Sequence, residues 1–228
     1  MIRVQVPLPP PTYETQVRAP GQAFLTANPA PTRADWQQHR YWRHIHSDLY
    51  EQVHGICSYC ASFTPRRRSP ASVDHTSIDH FVPKSRNSAL AYEWSNFRLC
   101  RARLNNRKAD FEDVLDPYMI QDGWFRLSFT TFALSPDPTL PEERQQEIRN
   151  SIARLELNND DSYVNERARV VYSYADSKLP FAELTKRYPF IAAELASQDF
   201  DLVHLPQFKL ALANPRLRGA LIRQGWMV

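Results

Sequence analysis

The spacing of apolar and polar residues divides the chain into helical stretches separated by two short strand-like runs near its middle. Trp36, Trp42, Ile45, Leu49 and Val53 recur at helical spacing, with Asp35 suited to the N-cap and Gly55 to the position just past the end. A β-like run follows through Ile78 to Val82. Ser88 to Glu93 fits a helical turn, Asn96 to Cys100 a second short strand, and Arg103 to Phe111 a helix. Gly123 to Phe132 alternates and is rich in aromatic residues, which predicts another strand. Pro141 to Leu157 predicts a helix with Ile148, Ile152 and Leu155 on its buried stripe, and Ser162 to Ser177 a second. Phe181 to Ala196 and Pro206 to Gln224 read as shorter helices broken at Pro189 and Pro215.

Composition sharpens this outline. Of 228 residues 18 are proline and only 5 glycine, so much of the chain is expected in short or irregular elements. Residues 1–34, with Pro9, Pro10 and Pro11 in a row, read as an extended N-terminal arm. The expected organisation is an arm over 1–34, a core over 35–135 with its preceding helix, and a helical region over 136–228. The fold class is α+β, a small strand–strand–helix core embedded in helices. No apolar run approaches the roughly 20 residues that cross a bilayer. No secretory leader pattern is visible at the N-terminus, so the expected compartment is the cytoplasm, away from membranes. Three cysteines, an odd number, argue against a disulfide framework.

The net charge of +3 says little, but its distribution says more. Arg66, Arg67 and Arg68 are consecutive. Lys84, Arg86, Arg98, Arg101, Arg103, Arg107 and Lys108 follow, and between Lys84 and Lys108 only Glu93 opposes them. Such density suits a polyanion, since each phosphate neutralised releases a counterion. A solvated charged face would account for any three of these residues more easily than for all of them.

Within this basic stretch lie Asp79-His80 at the end of the first strand (SIDHFVPKS), Asn96 at the start of the second (EWSNFRL), and Asn105 on the following helix (RLNNRK). Hydrolysing a phosphodiester needs an activated water, a Lewis acid and positioning groups. His80 titrates in the right range to act as general base. Asp79 and Asn105 offer a carboxylate and an amide oxygen to one Mg²⁺ or Mn²⁺ ion. Neighbours on a strand face opposite ways, so Asp79 and His80 serve one site only if the strand ends there, which Pro83 favours. Asn96 would orient His80 by bonding nearby backbone. Lys84, Arg103, Arg107 and Lys108 would contact substrate phosphates. Each residue alone has a duller reading, as surface, turn or cap; the Asp74-His75 pair shows how readily such a dipeptide arises.

These three strings resemble the HNH (ββα-metal) endonucleases. More narrowly, they are similar to the HNH proteins encoded beside ATPases in bacterial anti-phage defence systems such as Septu and some retron systems. Val-Leu-Asp-Pro-Tyr (114–118), Gly-Trp-Phe (123–125), Ile-Ala-Arg-Leu-Glu-Leu-Asn (152–158) and Arg167 extend the resemblance, which covers about Tyr50 to Tyr174. It implies His80 as general base, Asp79 and Asn105 as metal ligands and Asn96 as the middle asparagine of the motif. Asn105 stands where many members carry histidine. Many members also brace the motif with a structural zinc on two Cys-x-x-Cys pairs. Cys57 and Cys60 match the first pair. Arg101 and Leu104 occupy the second, with Cys100 one residue out of register. Either Cys57, Cys60 and Cys100 bind zinc with His75 as fourth ligand, or they are small buried apolar residues in a degenerate site; the second reading is preferred.

The expected function is hydrolysis of DNA by one divalent ion, as the effector of a defence complex under a partner ATPase. RNA is not separated from DNA by the motif, and a non-catalytic nucleic-acid-binding scaffold is the alternative. Trp36, Tyr41 and Trp42 read as core or interface anchors rather than base-stacking platforms, and the C-terminal half as a buttress that binds a partner.

Overall fold

The computed structural model describes residues 1–67 and 74–227; Arg68, the last of the three consecutive arginines, lies outside the described residues. The fold is α+β, with two small antiparallel sheets of two strands each. The chain forms two compact units. One comprises residues 3–59 and 63–120, the other 1–2, 60–62 and 121–228.

The first unit is built around strands β1 (Thr76–His80) and β2 (Phe97–Arg101), followed at once by helix α4 (Ala102–Lys108). Before them come α1 (Ala19–Ala27), α2 (Arg33–Gln38) and α3 (His46–Gln52). In the β1–β2 register, Ile78 faces Leu99, Asp79 faces Arg98, and His80 faces Phe97. The first strand thus ends on His80, two residues earlier than the apolar pattern suggests, while the chain past it continues to Val82 and Pro83 in a bend. Every residue of β2 is buried, so its two arginines point into protein.

The N-terminal segment departs most from expectation. It is not an extended arm: a π-helical turn (Glu14–Arg18) runs into α1, and Tyr13, Val17, Gly21 and Phe24 are buried. Tyr13, Val17 and Phe24 share a cluster with Ile45, Leu49, Tyr92, Trp94 and Phe97. The Tyr13 hydroxyl donates to the Tyr92 carbonyl at 2.7 Å and accepts from the Trp94 N–H at 2.7 Å. The Trp94 indole N–H donates to the Pro7 carbonyl at 2.6 Å. The prolines therefore belong to a segment fastened at both ends. The helix expected over 35–53 is also broken. Thr32 caps α2 in a capping box with Asp35, and a 3-10 turn (Tyr41–Ile45) separates α2 from α3.

In the second unit, Gly123 to Phe132 is not one strand but the start of a hairpin, β3 (Phe125–Leu127) with β4 (Leu134–Pro136). Helices α5 (Glu142–Arg154) and α6 (Asp161–Ala175) follow as the spacing predicts. Five shorter helices complete it: α7 (Phe181–Arg187), α8 (Pro189–Ser197), α9 (Phe200–Val203), α10 (Leu205–Ala213) and α11 (Pro215–Arg223). Two buried ions hold the hairpin. Arg167 donates to the carbonyls of Phe132 (2.6 Å) and Leu157 (2.8 Å), and the Glu194 carboxylate accepts from the Leu127 N–H at 2.7 Å. Burial pulls Arg167 down to about 10.

Candidate active site

A cleft of about 1480 Å³ opens in the first unit, with Asp79, His80, Lys84 and Asn105 all in its wall. The end of β1 delivers Asp79 and His80; α4 delivers Asn105 and, one turn on, Lys108. Leu104 at zero exposure seats α4 against the sheet, and this packing brings the polar positions 105 and 108 onto β1.

His80 is buried, and its ring is fixed from both sides. Nε2 lies 2.9 Å from the Ala91 carbonyl, an acceptor only, so Nε2 carries the proton and Nδ1 the lone pair. Nδ1 lies 3.3 Å from the Lys84 ammonium. Edge contacts from Trp42 (centroids 4.6 Å apart) and Phe97 (5.3 Å) fix the plane. Burial first, and the Lys84 charge second, push the imidazole well below its ordinary pKa, leaving it neutral near pH 7.

The Asp79 carboxylate is enclosed. The Tyr59 hydroxyl donates to Oδ2 at 2.5 Å, and Lys108 Nζ stands 3.4 Å from Oδ1 and 3.3 Å from Oδ2. Burial raises the carboxyl pKa, and Lys108 and the Tyr59 hydroxyl oppose that rise. Tyr59 is itself pushed well up by burial and by Asp79.

Asn105 donates through Nδ2 to the Ser77 hydroxyl (3.2 Å) and the Ile78 carbonyl (3.3 Å), which leaves Oδ1 as its acceptor. The Asn96 side chain sits away from the cleft wall and ties the connection between the strands. Its Oδ1 accepts from the Val82 N–H at 2.7 Å, and its Nδ2 donates to the carbonyls of Val82 (3.0 Å) and Leu90 (3.1 Å). Leu90 precedes the residue whose carbonyl holds His80. Asn96 thereby fixes both flanks of the imidazole, and as a buried positioning group it touches backbone alone.

The basic residues sort differently from the sequence expectation. Lys108, expected to meet substrate phosphates, is fully buried, with its ammonium on Asp79 and, at 3.1 Å, on the His80 carbonyl. Arg98 makes a two-pronged pair with Asp116 (2.8 and 2.7 Å) and stacks on Tyr118, 3.5 Å from the ring centroid. Arg101 donates to the Thr64 hydroxyl at 2.9 Å. Arg103 and Arg107 are half-exposed and lie outside the cleft wall. Lys84, Arg67 and Arg86 do line it. So do Arg40 and Arg43, from the stretch read as a packing helix, and Arg33, from the stretch read as an extended arm. Among the described residues the wall holds six Arg or Lys side chains against two carboxylates, Asp79 and Asp110, a balance that favours an anion. Trp36 and Trp42 also reach the wall, while packing against Tyr92 on the core side.

Of the three cysteines, Cys57 and Cys100 are buried and Cys60 is half-buried. Cys57 Sγ accepts from the Arg101 N–H at 3.3 Å, and Cys100 Sγ lies 3.7 Å from the Ser77 hydroxyl. Among the described residues, no group of three or more His, Cys, Asp or Glu is placed to hold a metal ion. No helix among them is long and apolar enough to cross a membrane. Comparison of the chain with protein-family models and with curated protein sequences found no match.

Proposed function

We propose that this chain is a metal-dependent nuclease that hydrolyses phosphodiester bonds in DNA. The observation that carries the reading is the common wall shared by His80, Asp79 and Asn105 inside a basic cleft. His80 Nδ1 is an unprotonated nitrogen on a ring fixed by backbone, the state a general base needs. Asp79 and Asn105 contribute hard oxygen donors of the kind that hold Mg²⁺ or Mn²⁺ when water and substrate phosphate complete the shell. A bound divalent ion supplies Lewis-acid charge at the phosphate and the leaving oxygen. The arginines of the wall and Lys84 hold the strand, and Asn96 keeps the imidazole in register. Resemblance to the defence-associated HNH proteins alone supports a role as the effector of an anti-phage complex controlled by a partner ATPase; failure to co-purify with an ATPase encoded nearby removes that part.

A binding scaffold is the second reading, and one observation favours it: Asp79 already has Tyr59 and Lys108 on its oxygens. Two measurements separate the readings. In supercoiled-plasmid cleavage with Mn²⁺ or Mg²⁺, nicking by the wild type that is lost in His80→Ala and in EDTA supports the nuclease. Calorimetric titration with Mn²⁺ that shows no binding at millimolar concentration, together with intact plasmid, supports the scaffold.

A further inference from the structure

Lys84 occupies an unusual place for a lysine beside a catalytic imidazole. Its ammonium is 3.3 Å from His80 Nδ1, the one nitrogen of that ring with a lone pair to offer. It lies 4.9 Å from the centroid of Trp42 and 5.9 Å from that of Trp36, so two indoles flank it. Among the described residues no carboxylate stands within ion-pair distance of it, in a wall already dominated by arginines. Burial pulls its pKa below the ordinary lysine value, with Asp79 opposing and Lys108 and Arg40 adding to the fall. A partly desolvated ammonium lacking an anion prefers a phosphate oxygen as its partner. Meanwhile a donor on Nδ1 competes with the water that Nδ1 would have to deprotonate.

We propose that Lys84 is a substrate-displaced cap on His80: a polynucleotide entering the cleft draws the ammonium onto a phosphate oxygen, and only then is Nδ1 open to water. The indole pair keeps the cap in place at rest. The consequence is a substrate class. A strand with phosphates flanking the scissile one supplies the oxygen that removes the cap, whereas a small diester with a single phosphate does not. This proposal rests on the reading of His80 as the proton acceptor of a nuclease.

Two measurements test it, and they fail separately. Long-range ¹H–¹⁵N NMR of His80 reads the cap without turnover. In EDTA, Lys84→Met and, independently, a single-stranded oligonucleotide added to wild type should each move the Nδ1 resonance downfield, as expected when a nitrogen lone pair exchanges a charged donor for the weaker donor water. An Nδ1 resonance that stays in place under both treatments overturns the proposal, whether or not the protein cleaves DNA. With Mn²⁺, Lys84→Met should raise hydrolysis of bis(p-nitrophenyl) phosphate by about fivefold, the worth of one ordinary hydrogen bond, while raising the KM for DNA. Equal loss on both substrates makes Lys84 a plain phosphate contact and also overturns the cap. If neither protein cleaves any diester, the nuclease reading is what fails, and the NMR result still decides whether Lys84 holds Nδ1.

Discussion

Lys108 and Asp79 meet at 3.3 Å where the side chains are 0% and 3% exposed. Removing one member of such a pair leaves the other charge buried and unmatched, which costs about 3–5 kcal/mol, whereas replacing both with apolar or neutral groups costs far less. Lys108→Met should therefore lower stability by about that amount in urea unfolding. Asp79→Asn combined with Lys108→Met should recover most of it. A single variant as stable as the wild type would show that the pair contributes nothing structural.

Arginines of the cleft wall and arginines of the sheet should respond oppositely. Arg40→Gln with Arg43→Gln should weaken DNA binding and flatten the dependence of log K on log salt by about 2, one phosphate contact each, with little change in melting. Arg98→Gln should leave that slope unchanged and unfold the protein more easily, because Asp116 and two carbonyls lose their donor. Salt titrations of oligonucleotide binding, paired with melting curves, distinguish the two groups.

Acid should act on stability through His80. Its folded pKa is lowered, so between that value and the unfolded value near 6.5 the unfolded chain binds more protons. Stability is then flat above about pH 6.5 and falls below it, by at most about 1.4 kcal/mol per pH unit from this residue. His46, also lowered by burial, adds to the slope. His80→Gln should lose stability less steeply than wild type between pH 7 and 5. The same shift predicts that cleavage persists in mild acid, since the base stays unprotonated where an ordinary histidine is not.

Gly21 tests whether the N-terminal segment is part of the fold. A Cβ at this position would stand 2.2 Å from the Tyr92 ring, an overlap that forces the helix off its seat. Gly21→Ala should destabilise by about 1–3 kcal/mol despite the better helix propensity of alanine. An unchanged melting temperature would mean that α1 docks elsewhere.

Asp79, His80 and Asn105 sit in short strings, and the strand end and the helix that carry them bring all three to one cleft wall, while Asn96 lies off that wall on backbone. In the N-terminal segment proline composition masks a periodic signal: Tyr13, Val17, Gly21 and Phe24 lie at 4, 4 and 3 residue intervals, one face of a helix. The glycine hid that face, because its value lies in close approach rather than in apolar area. The charges of Arg98, Arg101 and Lys108 suggested solvent, yet each has internal acceptors that no local pattern reveals. Arg33 escapes notice because its segment reads as an extended arm, and Arg40 and Arg43 because theirs reads as one continuous helix. The chain instead breaks at His39 and Arg40, and Arg40 and Arg43 line the cleft.

The Asn96 amide has a further consequence, for variation in length. By clasping Val82 and Leu90 it closes residues 82–90 into a ring, and the exposed residues Ser85, Arg86 and Asn87 form the part of that ring farthest along the chain from the clasp. Adding residues to an exposed loop costs only a slow logarithmic increase in closure entropy. The segment over 85–87 is thus a place where this architecture can acquire new sequence, a longer contact with substrate or partner, while the imidazole keeps its position.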